Sequence, residues 1–103
     1  MDKSFKERKC EQLRLLILSL LSDQDDYTAT DAVLYEVVEK ELMLVAMSDL
    51  RMAMSWLNEE GLVVTQRAGG KLGFTVATIT ERGMDVANGA RTFPGVAKRF
   101  GGA

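Results

Sequence analysis

The sequence contains no histidine, a single cysteine (Cys10) and a single proline (Pro94) in its 103 residues. An internal disulfide is impossible, and zinc sites built from cysteine and histidine clusters are excluded. Cys10 has no second thiol to resolve it, and it falls on the apolar stripe of the first helical segment, so a buried, inert thiol is the expectation. No glycine-rich phosphate loop and no paired acid and base stand out. The chain is therefore expected not to be an enzyme, and no cofactor or metal is implied. Long apolar runs are also missing. The longest, Leu15 to Leu21, has seven residues and contains Ser19, far short of the ~20 that span a bilayer. The charged opening, MDKSFKERKC, is not followed by a signal-type cleavage site, so a cytoplasmic location with no membrane partner is expected. What remains is an ordinary composition, 47% hydrophobic and 27% charged, suited to one globular domain.

The net charge of −2 conceals an uneven distribution. Residues 22–60 hold ten acidic side chains against Lys40 and Arg51, a net −8, whereas residues 61–103 are net +4 and residues 1–9 net +2. An acidic middle between basic ends bears directly on any nucleic-acid partner.

Within that middle, MSDLRMAMSWLNEEGLVV (Met47 to Val64) organises the chain. Leu50, Ala53, Met54 and Leu57 recur at i, i+3, i+4 and i+7, the period of an amphipathic helix. Gly61 stands where the period ends and suits a helix C′ position with positive φ. Leu62 to Arg67 and Leu72 to Thr78 then read as strands around the turn Ala68-Gly69-Gly70-Lys71. In the second strand Leu72, Phe74 and Val76 alternate with Gly73, Thr75 and Ala77, the period of a half-buried strand. A helix stopping on glycine and running straight into a hairpin has the spacing of a winged helix-turn-helix. The fold class expected is α+β, mainly α, with three helices, a two-stranded wing and a fourth short helix. The domain is expected over 1–92, followed by an extended tail over 93–103.

Upstream, Lys6 to Leu21 reads as the first helix, with Leu13, Leu16, Ile17 and Leu20 as its core stripe. Leu15 and Leu18 lie off that stripe: either the helix runs centrally beneath the others, or its extra apolar face meets a second copy. Asp23, Asp25 and Asp26 lack the glycine and closing glutamate of a calcium loop and read as solvated. Thr28 or Thr30 caps a second helix with Asp31 in its first turn and Leu34, Val37, Val38 and Leu42 as its stripe. The connection Leu42 to Met47 is apolar and lacks glycine, so exposure of Met43 or Leu44 would signal a protein contact. The third helix starts at Ser48-Asp49 or is capped, with poor chemistry, by Ala46. Trp56 falls at the edge of its buried side. Thr80 caps the last helix, Gly83 inside it points to close packing, and Gly89 stops it. In the tail, Phe93, Val96 and Phe100 need a surface to lie on.

Taken in order, these features resemble winged-helix regulators of the MarR, PadR and ArsR type. Those families carry a WL-x-x-x-GLV helix end, here Trp56-Leu57 and Gly61-Leu62-Val63, and an LT-x-x-G motif, here Ile79 to Gly83. Across nearly its whole length the chain is similar to small winged-helix proteins of Mu-like phages and prophages, with Tyr27, the run Thr80 to Gly89, and Pro94-Gly95-Val96 in matching order. The resemblance implies a phage or prophage transcriptional regulator, homodimeric and bound to double-stranded DNA. Its third helix would enter the major groove with Ser48, Arg51, Met52 and Ser55 towards base edges and Arg51 as the one candidate for bidentate guanine contact. Arg67 and Lys71 on the wing would meet phosphates, with Lys3, Lys6, Arg8 and Lys9 in support. The charge pulls the other way, because DNA affinity rests largely on phosphate neutralisation. The alternative is a protein-interaction module in phage assembly or packaging that binds no DNA. Its contact residues would be Leu15, Leu18, Met43 and Leu44.

Overall fold

The computed structural model describes residues 4–42 and 44–99, with the backbone alone at Leu72. Four helices pack against a three-stranded antiparallel sheet, an α+β fold that is mainly helical. The elements are α1 (Phe5–Ser22), β1 (Thr28–Thr30), α2 (Asp31–Leu42), α3 (Met47–Glu59), β2 (Val63–Ala68), β3 (Phe74–Ile79) and α4 (Glu81–Ala87), with a short 3₁₀ turn at Gly70–Leu72 between β2 and β3. Among the described residues no helix is long and apolar enough to cross a membrane.

α1 is the central element. It touches α2, α3, α4 and β3, which is why apolar residues surround so much of it. Leu13, Ile17, Leu18 and Leu21 are its buried side chains, while Leu15, Leu16 and Leu20 pack half-buried around them. The stripe is thus rotated from the expected one. Leu18 is 0% exposed, so it lies in the core of one chain and cannot meet a partner. Cys10 is half-buried rather than buried, because it sits on the open N-terminal half of α1.

The sheet departs from a two-stranded wing. Thr28–Thr30 forms a third strand, giving the order β1-β3-β2, with Ala29 opposite Ala77. Three residues are too few for an alternating pattern to show, and only the pairing with β3 makes them a strand. The reading of Thr30 as a cap holds beside it, since the Val33 amide donates to Thr30 Oγ1 at 3.2 Å. In β3 the buried face is Ala77 and Ile79, while Phe74 is exposed and Val76 half-buried. The alternation seen from Leu72 to Val76 therefore marks the wrong face. β3 is the middle strand, and the small Ala77 lets α1 and α2 approach it.

The ends of α3 show how local chemistry sets the frame. Its N-cap is Ala46, which has no side-chain oxygen to offer. Instead Asp49 Oδ2 reaches back to accept from the Ala46 amide at 2.9 Å, half of a capping box. At the other end Leu62 N–H donates to Leu57 O (2.9 Å) and Gly61 N–H to Asn58 O (3.1 Å), with Gly61 at φ +77°. This is a Schellman closure, which needs a left-handed residue at Gly61. Thr80 caps α4 through the Gly83 amide (3.0 Å) and donates from Oγ1 to the Gly61 carbonyl (2.8 Å), locking α4 onto the end of α3. A Cβ on Gly83 would collide with the Leu62 carbonyl and come within 2.7 Å of Ile79, so the close packing expected there is realised.

The α2–α3 connection has no glycine, and Leu44 takes the left-handed conformation itself, at φ +53° and 90% exposed. An ordinary side chain at positive φ costs about 1 kcal/mol. The turn is tied from outside: Tyr35 Oη donates to Val45 O and Lys9 Nζ to Leu44 O, both at 2.8 Å. Met43 lies outside the described residues, as do Lys3 and Phe100.

Candidate functional site

A cleft of about 240 Å³ lies between α3 and the hairpin. The inner face of the hairpin explains its character. Facing pairs along it run from Val63 and Ile79, through Thr65 and Ala77, to Arg67 and Thr75. The face is thus apolar beneath the helices and polar beyond them. The Thr65 amide donates to Asn58 Oδ1 at 3.1 Å, tying the hairpin to the last turn of α3. Arg51 and Ser55 contribute from α3, Thr65, Gln66, Arg67 and Thr75 from the strands, and the buried Met54 lies beneath.

Both arginines here are held by one nitrogen. Arg51 Nε donates to Asp31 Oδ2 at 3.3 Å, and Arg67 Nη1 donates to Thr75 Oγ1 at 3.3 Å. Asp31 is the one buried charged residue described, and its other oxygen accepts from the Ala32 amide at 2.8 Å. Sequence reasoning placed Asp31 at the start of α2 only for its effect on the helix dipole. Its pairing with Arg51, twenty residues away, carries no local signal.

Of the six residues expected to face DNA, the structure brings Arg51, Ser55 and Arg67 to this cleft. Ser48 is exposed in the first turn of α3, and Lys71 is exposed in the hairpin turn. Met52 goes elsewhere. Although 71% exposed, it borders the opposite flank of α3, where α1 and α3 enclose a groove of about 460 Å³ with Cys10, Leu13, Val45, Ala53 and Trp56. Lys6 and Lys9 edge this groove rather than the cleft, and Leu44 is exposed in the turn beside Val45. Leu15 is half-buried against the core.

Trp56 closes one end of the groove, and three distant parts of the chain meet on it. The Arg14 guanidinium lies 4.0 Å from the ring centroid and donates from Nη1 to Gly95 O at 2.9 Å. Phe93 meets the indole edge-on at 6.1 Å. Gly95, at φ +95°, lies so close that a Cβ would sit 2.6 Å from the ring. Val96 is buried, and the Ala97 amide donates to Glu11 O at 3.1 Å. The Pro94-Gly95-Val96 run is thus the strap that fastens residues 92–97 over Trp56 and α1. Among the described residues, no three His, Cys, Asp or Glu side chains are grouped as metal ligands.

Comparison with known proteins gives two relatives. An uncharacterized protein of Haemophilus influenzae (strain ATCC 51907 / DSM 11121 / KW20 / Rd) is 33% identical over 79 residues, 77% of this chain and 74% of that protein. An uncharacterized protein of an Escherichia phage is 34% identical over 86 residues, 84% of this chain and 85% of that protein; it is gp26 of phage Mu. No family model matches the chain.

Proposed function

The chain belongs to the family of phage Mu gp26, and from that premise we propose that it is a winged-helix DNA-binding protein of a phage or prophage, acting in transcription regulation as a dimer. The observation that carries this reading is the cleft in which Arg51 and Arg67, from two different elements, face one opening. The element order supports it: three helices, with α2 and α3 joined by a short turn, lead into a hairpin. In that arrangement α3 enters the major groove, and the hairpin touches the backbone or the minor groove beside it. The cleft bears on the objection from charge. The acidic excess of residues 22–60 belongs to the chain as a whole, whereas among the described residues the cleft is lined by two arginines, with the buried Asp31 behind Arg51 as the acid that offsets one of them.

Titration with mixed-sequence duplex DNA as salt rises from low to physiological concentration tests the reading. Binding that weakens steeply with salt is expected, since each neutralised phosphate releases counterions. Arg67→Ala combined with Lys71→Ala should lower the slope by about two ions. No binding at low salt would overturn the proposal.

A second reading has its own observation. The α1–α3 groove is mainly apolar, Phe5, Leu44 and Met52 are exposed, and Leu44 holds a left-handed backbone conformation with its side chain turned to solvent. These features favour a protein contact, as an assembly or packaging role without DNA would require. Replacing Met52 and Leu44 with glutamate should then abolish recovery of a defined partner from phage-producing cells. Such recovery unchanged by both replacements would remove this reading.

A further inference from the structure

We propose that the cleft between α3 and the hairpin seats one phosphate of the DNA backbone, with Asp31 as the positioning residue that holds Arg51 over it. The inference rests on the DNA-binding reading and changes the role of Arg51 within it, from base reader to backbone clamp.

The starting point is an asymmetric ion pair. Asp31 is 2% exposed, whereas the Arg51 side chain is 54% exposed. A carboxylate buried this far must be fully hydrogen-bonded or it destabilises the fold. Here one oxygen takes the Ala32 amide and the other takes Arg51 Nε, and the N-terminus of α2 adds a favourable dipole. Packing therefore fixes the acid, and the acid in turn fixes the base. A free arginine side chain samples many rotamers, and that freedom is lost on binding. With Nε anchored, that freedom is already reduced. The two Nη groups make no hydrogen bond among the described residues.

Arg67 is treated in the same way from the opposite wall. Its Nη1 is bonded to Thr75, and a Cβ on Gly73 would strike its Nη2, so the guanidinium lies along the hairpin beside a residue with no side chain. Arg51 and Arg67 thus line one cleft from its two walls, together with Ser55 and Thr65. Planar N–H forks match the oxygen spacing of a phosphate. Counting Asp31 against them, the site keeps one net positive charge, as a phosphodiester requires.

Docking geometry assigns the occupant. If α3 lies in the major groove and the hairpin on the adjacent minor groove, the strand dividing the two grooves must pass between them. The cleft is the space between α3 and the hairpin, so a backbone phosphate passes through it. Ser48, in the first turn of α3, remains for base edges.

The test follows the Nε–Hε NMR signals of Arg51 and Arg67 in the full chain during titration with mixed-sequence duplex DNA and, separately, with inorganic phosphate. Duplex should move both signals at concentrations where phosphate alone does not. Arg51→Ala should weaken binding about tenfold, equally for unrelated duplexes, and lower the salt slope by about one ion. Asp31→Asn leaves the site one positive charge richer, so the expected weakening of about fivefold in the wild-type background and none in Arg51→Ala reads lost positioning rather than lost charge. If Asp31→Asn fails to fold, Arg51→Lys serves instead: it keeps the charge but loses the fork, and full affinity would overturn the proposal. Duplex binding that leaves both signals unmoved overturns the cleft as the seat while the DNA reading stands. Phosphate acting as well as duplex overturns DNA as the source. An equal loss from Asp31→Asn in both backgrounds overturns the positioning role. No duplex binding at all overturns both readings together.

Discussion

Arginines border both flanks of α3, one on the α1 side and two on the hairpin side, and the two flanks put them to different purposes. On the α1 side Arg14 is stacked on Trp56, bonded to the Gly95 carbonyl, and enclosed by the returning tail. Its guanidinium works as a structural plate. On the hairpin side Arg51 and Arg67 are each held by one nitrogen, and both are exposed. A cation stacked on a ring and half-buried beneath the tail turns fewer donors towards solvent, whereas one anchored at a single atom on an exposed side chain keeps the rest. Residue type alone does not separate these cases; the neighbours do.

The sharpest way to break both flanks together is Gly83→Ala. The added methyl meets the Leu62 backbone, which cannot move aside as a side chain can. A loss of about 3 kcal/mol is expected from such overpacking, read by thermal or urea unfolding. A cost below about 0.5 kcal/mol, the level of a neutral surface change, would show that α4 is not held this tightly.

Trp56→Ala separates the flanks. It removes the ring that Arg14, Phe93 and Gly95 share, and since Trp56 is only half-buried, about 2 kcal/mol should be lost, below the range for full burial. Duplex affinity of the folded variant should stay at the wild-type level. An affinity loss larger than the cleft variants give would mean that the groove, not the cleft, is the binding surface.

Arg14→Ala and Arg67→Ala form the matched pair. The first should cost about 1.5 kcal/mol of stability, through the lost cation–π contact and charge-assisted bond, and leave DNA affinity alone. The second should change stability by less than about 0.5 kcal/mol while weakening duplex binding several-fold at low salt. Calorimetric unfolding and fluorescence anisotropy on both variants decide it, and the opposite pattern would reverse the two roles.

The smallest effect is expected at the α2–α3 turn. Leu44→Asn places a residue that tolerates the left-handed region where Leu44 has almost no packing to lose, and should stabilise by about 0.5 kcal/mol. Destabilisation instead would show that the exposed leucine is covered, as it would be at an interface between chains.

Much of the frame was legible before any coordinates. The core stripe Leu50, Ala53, Met54 and Leu57, the stop at Gly61, the cap at Thr80 and the close approach at Gly83 all stand as the spacing implied. The helix faces and sheet parity were legible only in part. α1 is buried on more than one side, so a single stripe misplaces Leu18. In β3 the run ending at Val76 looked like the apolar face, yet Ala77 and Ile79 fill the core. Met52 shares a helical face with Arg51 on a wheel but borders a different surface, because α1 and the hairpin divide that face between them.

By itself the sequence determined the glycine stop of α3, the cap of α4, the turn glycines and the hairpin, because these depend on hydrogen bonds and dihedral preferences spanning a few residues. Tertiary structure alone decided which arginines are structural and which are open, since that depends on partners far along the chain. Arg14 meets Gly95 across 81 positions, Arg51 meets Asp31 across 20, and the Thr28 and Thr78 hydroxyls meet across 50. Each such contact is made or lost by how elements pack, and no short-range pattern encodes it.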